Sequence, residues 1–133
     1  MTTPETPNWD WSRPIFDHVH LRVSDLAASR AFYATVLQPL GIPLLLDAPH
    51  LVAFANLALS ADGEPSERVH LAFTAADREM VEAFHAAGID AGYRDNGASG
   101  VRDHGPPGST YYAAYLLDPD GNNVEAVYRA FAG

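Results

Sequence analysis

Apolar and polar positions alternate along "IFDHVHLRV": Val19, Leu21 and Val23 are separated by His18, His20 and Arg22, the period of a strand with one face in a core. The period then changes. In "SDLAASRAFYATVLQPLG", Leu26, Phe32, Tyr33, Val36 and Leu37 fall near helical spacing, with Ser24 or Asp25 placed to cap the first turn. Pro39 and Gly41 predict the end of that helix. Short strands are expected at "IPLLL", "LVAFANL" and "LALSA", broken by "DAPH" and the polar turn "ADGEPSER".

The order then begins again. "RVHLAFT" alternates, "AADREMVEAFHAAG" has helical spacing, and "IDAGYR" leads into a glycine-rich loop. "YYAAYLLD", the tight turn "PDGN" and "NVEAVYR" complete the strongest hairpin signal of the chain. Short connections imply antiparallel pairing, which disfavours a doubly wound sheet and predicts an α+β fold of two tandem βαβββ modules. The first module is expected over about 15–63 and the second over about 67–131, within one domain spanning 15–133. Residues 1–14, rich in proline, read as a flexible arm that Trp9 and Trp11 could pin to the body or to a second subunit.

A length of 133 residues, 47% of them hydrophobic, supports one core with room for a pocket. The formal charge of −9, from eight basic and seventeen acidic side chains, argues against nucleic acid and anionic lipid as partners. No apolar run reaches the roughly 20 residues of a membrane span, and no secretion signal is evident, so a cytoplasmic location is expected. Without cysteine, a metal site has to use nitrogen and oxygen ligands.

Strand parity selects those ligands. If Val19, Leu21 and Val23 face a helix, then His18, His20 and Arg22 face the opposite way. In the second module Val69, Leu71 and Phe73 leave His70, Ala72 and Thr74 on that face. For "NVEAVY" parity alone does not decide between Glu125 and Val124, but burial of an unpaired glutamate is costly and a metal would remove the cost. Two imidazoles and a carboxylate would form a facial site for a divalent ion, with positions left open for water and substrate. One histidine of the His18/His20 pair would be the ligand and the other a pocket residue.

Three segments, "DHVHLRVSDLAASRAFYATVLQPLGI", "VHLAFTAADREMVEAFHAAGI" and "YYAAYLLDPDGNNVEAV", resemble the vicinal oxygen chelate superfamily, which includes glyoxalase I, fosfomycin-resistance proteins, extradiol dioxygenases and bleomycin-resistance proteins. The resemblance covers Phe16 to Tyr128, and "DPDGNNVE" is its most specific part. It implies paired βαβββ modules forming a curved, partly open mixed-sheet cavity around one divalent metal per chain (Fe, Zn, Ni, Mn or Co), often in a homodimer. It maps the metal ligands to His18, His70 and Glu125, and places a tyrosine, Tyr115, ten residues before the glutamate. The fourth ligand of glyoxalase I is missing, since "AFANLALS" holds Asn56 and Ser60 but no carboxylate.

The function implied is a divalent-metal-dependent enzyme acting on a small oxygen-chelating substrate, by lyase, isomerase, transferase or dioxygenase chemistry. Tyr115, His20 and His104, the last on the loop "VRDHGPPGSTYY", are the candidates for moving protons. Arg22 is open to two roles, a substrate carboxylate or an acidic neighbour. A second reading is non-catalytic sequestration of a small molecule of the bleomycin-resistance type, with Phe54, Tyr93, Tyr111 and Tyr112 lining the cleft.

Overall fold

A computed structural model describes residues 9, 10 and 12–131, so Trp11 and most of the expected N-terminal arm lie outside the described residues. Trp9 is described, with the Arg13 guanidinium 5.2 Å from its ring centroid. The first module runs β1 (Val19–Arg22), α1 (Leu26–Leu37), β2 (Leu44–Asp47), β3 (Val52–Phe54) and β4 (Leu57–Ser60). The second repeats it with β5 (His70–Thr74), α2 (Arg78–Asp90), β6 (Arg94–Val101), β7 (Thr110–Leu117) and β8 (Asn123–Ala130).

Each module closes on itself in the same way. The first sheet has the order β1-β4-β3-β2 and the second β5-β8-β7-β6, with β1 parallel to β4, β5 parallel to β8 and the remaining pairs antiparallel. The opening strand of each module is therefore an edge. Both helices start at an aspartate whose carboxylate accepts from the third residue of the first turn: Asp25 from Ala28 N at 3.1 Å and Asp77 from Met80 N at 2.8 Å. After α1 a short 3-10 turn, Gln38–Leu40, ends at Gly41, whose φ of 73° only glycine adopts at little cost.

The same spacing separates His18 from His70, the caps Asp25 and Asp77, Phe32 from Phe84, and Val36 from Gly88. The duplication inferred from pattern thus extends to individual side chains, and it pairs His18, not His20, with His70.

One continuous core joins the modules. Leu21, Val23, Phe32, Val36 and Leu59 from the first meet Val81, Phe84, Leu116, Val124 and Ala126 from the second, and α1 packs on α2. Phe32 anchors the seam, standing edge-on to both Tyr33 and Tyr93 at 4.8 Å. Burial of these faces supplies the main stabilisation, at about 25 cal/mol per Å² of apolar surface. The opposite faces, which carry His18 and His20 on one sheet and His70 and Glu125 on the other, point away from this core.

One difference from the sequence reading is instructive. The glycine-rich stretch expected as a loop is instead β6, "RDNGASGV", paired to β7 through register shifts on both sides of Gly97. The glycines bulge the strand rather than end it.

Candidate functional site

Glu125 is the most telling residue of the second sheet. It has no exposed surface, yet it is a carboxylate on a strand whose neighbours are apolar. Its two oxygens are held separately: His70 Nε2 lies 2.7 Å from Oε1, and the Tyr111 hydroxyl donates to Oε2. A carboxylate only accepts, so the His70 ring presents its Nε2 hydrogen. The register explains the meeting, because Ala72 on β5 pairs with Glu125 on β8, and His70, two residues earlier on the same face, leans over the carboxylate.

Tyr115 is the direct cross-strand partner of Glu125, and its ring lies 6.4 Å from that of His70. Burial, followed by the Glu125 charge, pushes the Tyr115 hydroxyl above its ordinary pKa. Tyr111 is shifted upward for the same leading reason, with its hydrogen bond to Glu125 next in weight. Both phenols are therefore neutral proton donors at physiological pH. His104 is exposed on its loop, but its ring stands edge-on to Tyr111 at 5.2 Å, so it belongs to this cluster.

The first sheet carries the other candidates. His18, an exposed residue just ahead of β1, has Nδ1 2.9 Å from Asp17 Oδ2, which fixes a hydrogen on Nδ1 and leaves Nε2 as the acceptor nitrogen. A carboxylate behind one ring nitrogen is the usual support of a metal-binding histidine. His20 differs, since its Nε2 is engaged 2.6 Å from Ser60 Oγ, which in turn donates to Asp62 at 3.0 Å. Arg22 completes that chain by donating to Asp62 at 2.9 Å, so the acidic-neighbour role is the one the structure displays. Hydrogen bonding from Ser60, and then Arg22, holds the Asp62 carboxyl below the usual carboxylate range.

The donor chemistry decides how far a divalent ion fits. His70 and Glu125 converge as one nitrogen and one oxygen donor sharing a proton that an ion would displace. His18 stands beside the other sheet, and among the described residues of one chain no group of three ligating side chains comes together. Within one chain the three candidate ligands are thus divided, His18 beside the first sheet and His70 with Glu125 on the second.

Two further residues take roles that the sequence pattern does not assign to them. Tyr111, expected among the cleft aromatics, is instead bonded to Glu125, and its parity with Tyr115 is the signal that places it on that face. Asp118, in "DPDG", is buried and accepts from Asp120 N, Asn122 N, Asn122 Nδ2 and, across the module boundary, the Tyr33 hydroxyl at 2.8 Å. Asn122 then accepts from Val69 N at 3.0 Å, immediately before His70. The turn thus positions both strands that bear the site. The second aspartate of the turn, Asp120, also receives hydrogen bonds from Ser24 in the first module.

An open cleft of about 530 Å³ lies elsewhere, between the modules, lined by Phe16, Val19, Phe54, Leu57, Leu71 and Phe73 among others. None of the candidate ligands lines it. The four proposed cleft aromatics do not gather there: Phe54 does, but Tyr93 packs on Phe32, Tyr111 on Glu125, and Tyr112 donates to Glu82.

Residues 15–126 match the family model of the Glyoxalase/Bleomycin resistance protein/Dioxygenase superfamily. Among solved structures, a glyoxalase/bleomycin resistance protein from Albidiferax ferrireducens T118 is 34% identical over 87% of this chain and 100% of its own, with a TM-score of 0.70. A lactoylglutathione lyase from Agrobacterium tumefaciens, 24% identical over 87% of this chain and 95% of its own, has a TM-score of 0.61 and shares the fold. A glyoxalase/bleomycin resistance protein/dioxygenase from Nocardioides, 22% identical over 93% and 89%, shares it at a TM-score of 0.58. No curated protein matches the chain. The repeated βαβββ modules, the two edge strands that carry histidines and the match over most of the length agree, and this chain belongs to the Glyoxalase/Bleomycin resistance protein/Dioxygenase superfamily.

Proposed function

We propose that this protein is a divalent-metal-dependent enzyme of the vicinal oxygen chelate type, acting on a small substrate through its oxygens by lyase, isomerase, transferase or dioxygenase chemistry. The observation that carries the reading is the fully buried Glu125 carboxylate against His70 Nε2, a costly pair that metal binding would justify. The third ligand is His18, supplied by a second copy of the chain in a homodimer. Three features support that arrangement: the unpaired edges of β1 and β5, the acceptor Nε2 of His18, and the exposed apolar Ile15 and Phe16 beside it.

A bound ion of this kind would supply Lewis acidity to substrate oxygens. The chain's own residues have roles that need no such geometry. Tyr111 fixes one carboxylate oxygen and leaves the other toward His70. Tyr115, His104 and, from the first sheet, His20 are the groups placed to hold or move a proton.

The test is metal affinity by calorimetry and elemental analysis of untagged protein reconstituted with Fe(II), Zn, Ni, Mn or Co. About one equivalent per chain is expected in the wild type and little in His18→Ala, with His20→Ala retaining the ion. Absence of saturable binding for every metal would overturn the proposal. The apolar cleft favours a second reading, sequestration of a small molecule without catalysis. Under it, ligand binding survives His18→Ala unchanged.

A further inference from the structure

Arg102 is a half-buried residue whose guanidinium sits in a seat made for it. Gly97 and Gly100 on β6 leave the space: a Cβ on Gly100 would come within 2.8 Å of Nη1, and one on Gly97 within 3.5 Å of Nη2 and 2.9 Å of the Tyr115 ring. Below the guanidinium lies that ring, its centroid 5.4 Å from Cζ. The backbone carbonyls of Ala98 and Val101 accept from Nη2 at 2.5 Å and from Nη1 at 3.5 Å.

Arg22 and Arg30 each pair with an aspartate, at 2.9 and 2.6 Å, but among the described residues no carboxylate pairs with Arg102, in a chain of net charge −9. A guanidinium set against an aromatic ring, with its remaining N–H groups unengaged by a carboxylate, is a ready fork for an oxyanion. Its position gives that fork a purpose. Gly97, Tyr115 and Glu125 are successive cross-strand partners on β6, β7 and β8. Gly97, beside Arg102 Nη2, therefore lies two strand spacings, roughly 10 Å, from Glu125, and the guanidinium stands against the ring of Tyr115 on the strand between.

We propose that Arg102 is a substrate-recognition residue that binds an oxyanion, a carboxylate or a phosphonate or phosphate group, on the same small molecule whose reacting end lies at Glu125 and His70. The proposal rests on that face being the functional one, but its test does not involve metal.

The test is an NMR titration of the Arg102 Nε–H signal in metal-free, full-length protein. Sodium acetate and sodium methylphosphonate are the probes, and sodium chloride at matched ionic strength is the control. A saturable shift with either probe, and none with chloride, is expected; the tighter probe identifies the anion class. Gly100→Ala keeps the charge but evicts the guanidinium, and should weaken binding about tenfold or more, as should Arg102→Gln, followed there through the backbone amide signals of Gly97, Ala98 and Tyr115. Since the displaced atom is the end of a flexible side chain, the rest of the amide spectrum should persist in Gly100→Ala. Shifts reproduced by chloride, or binding unchanged in both variants, would overturn the assignment. Oxyanion binding without metal affinity would instead uphold this residue and remove the metal reading.

Discussion

Glu125→Gln is expected to leave the protein folded while lowering metal affinity about 100-fold or more. The substitution preserves volume at a fully buried position and keeps an oxygen that accepts from Tyr111, so the core around Ala126 and Val124 is not opened. What it removes is the charge, and a neutral amide is a poor ligand for a divalent ion. Relieving a buried carboxylate also removes its desolvation cost, so the unfolding free energy from urea denaturation should stay within about 1–2 kcal/mol of the wild type. Calorimetry with the metal that binds best, beside urea unfolding of the apo protein, separates the two effects. A variant that unfolds, or one that binds metal like the wild type, contradicts the role given to Glu125.

Asp118→Ala is expected to be the more damaging change to stability, at about 3–4 kcal/mol. It strips acceptors from two backbone N–H groups, the Asn122 amide and the buried Tyr33 hydroxyl at once. Tyr33→Phe removes only one donor and should cost about 1–2 kcal/mol. Because Asn122 also holds Val69, the loss should loosen the approach of β5 to β8 and weaken metal binding without touching a ligand. Urea unfolding with a common slope measures the first effect, and a cost for Asp118→Ala below about 1 kcal/mol would show that the clamp is dispensable.

The contrast between these residues shows what could be read in advance. "VHLRV" and "VHLAF" announce their strands, and parity alone sets His70 on one face, because a period of two is a local property. The grouping of His70 with Glu125 is implied by the family resemblance, whereas the parallel pairing of β5 with β8 that produces it joins strands far apart in the chain and is not a local pattern. Asp118 could be read only as a turn residue, since its bond to Tyr33 joins positions far apart in the chain through the folded core. Gly97 and Gly100 misled for a physical reason: glycine lowers strand propensity, but here its missing Cβ makes room for Tyr115 and Arg102. His18 is legible as a candidate, and the repeat that pairs it with His70 supports it, but a site shared between two copies, as proposed above, is not written in the period of one strand.

Subunit complementation tests that shared centre most directly. His18→Ala and Glu125→Ala proteins, neither of which should hold metal alone, are mixed, unfolded and refolded together, with heterodimers counted by native mass spectrometry. A heterodimer regains one intact site, built from the His18 of one chain and the His70 and Glu125 of the other, so metal should return to about a quarter of all sites after random pairing. Heterodimers that form and remain empty, or a monomeric wild type that binds one ion unaided, would contradict a site divided between two copies.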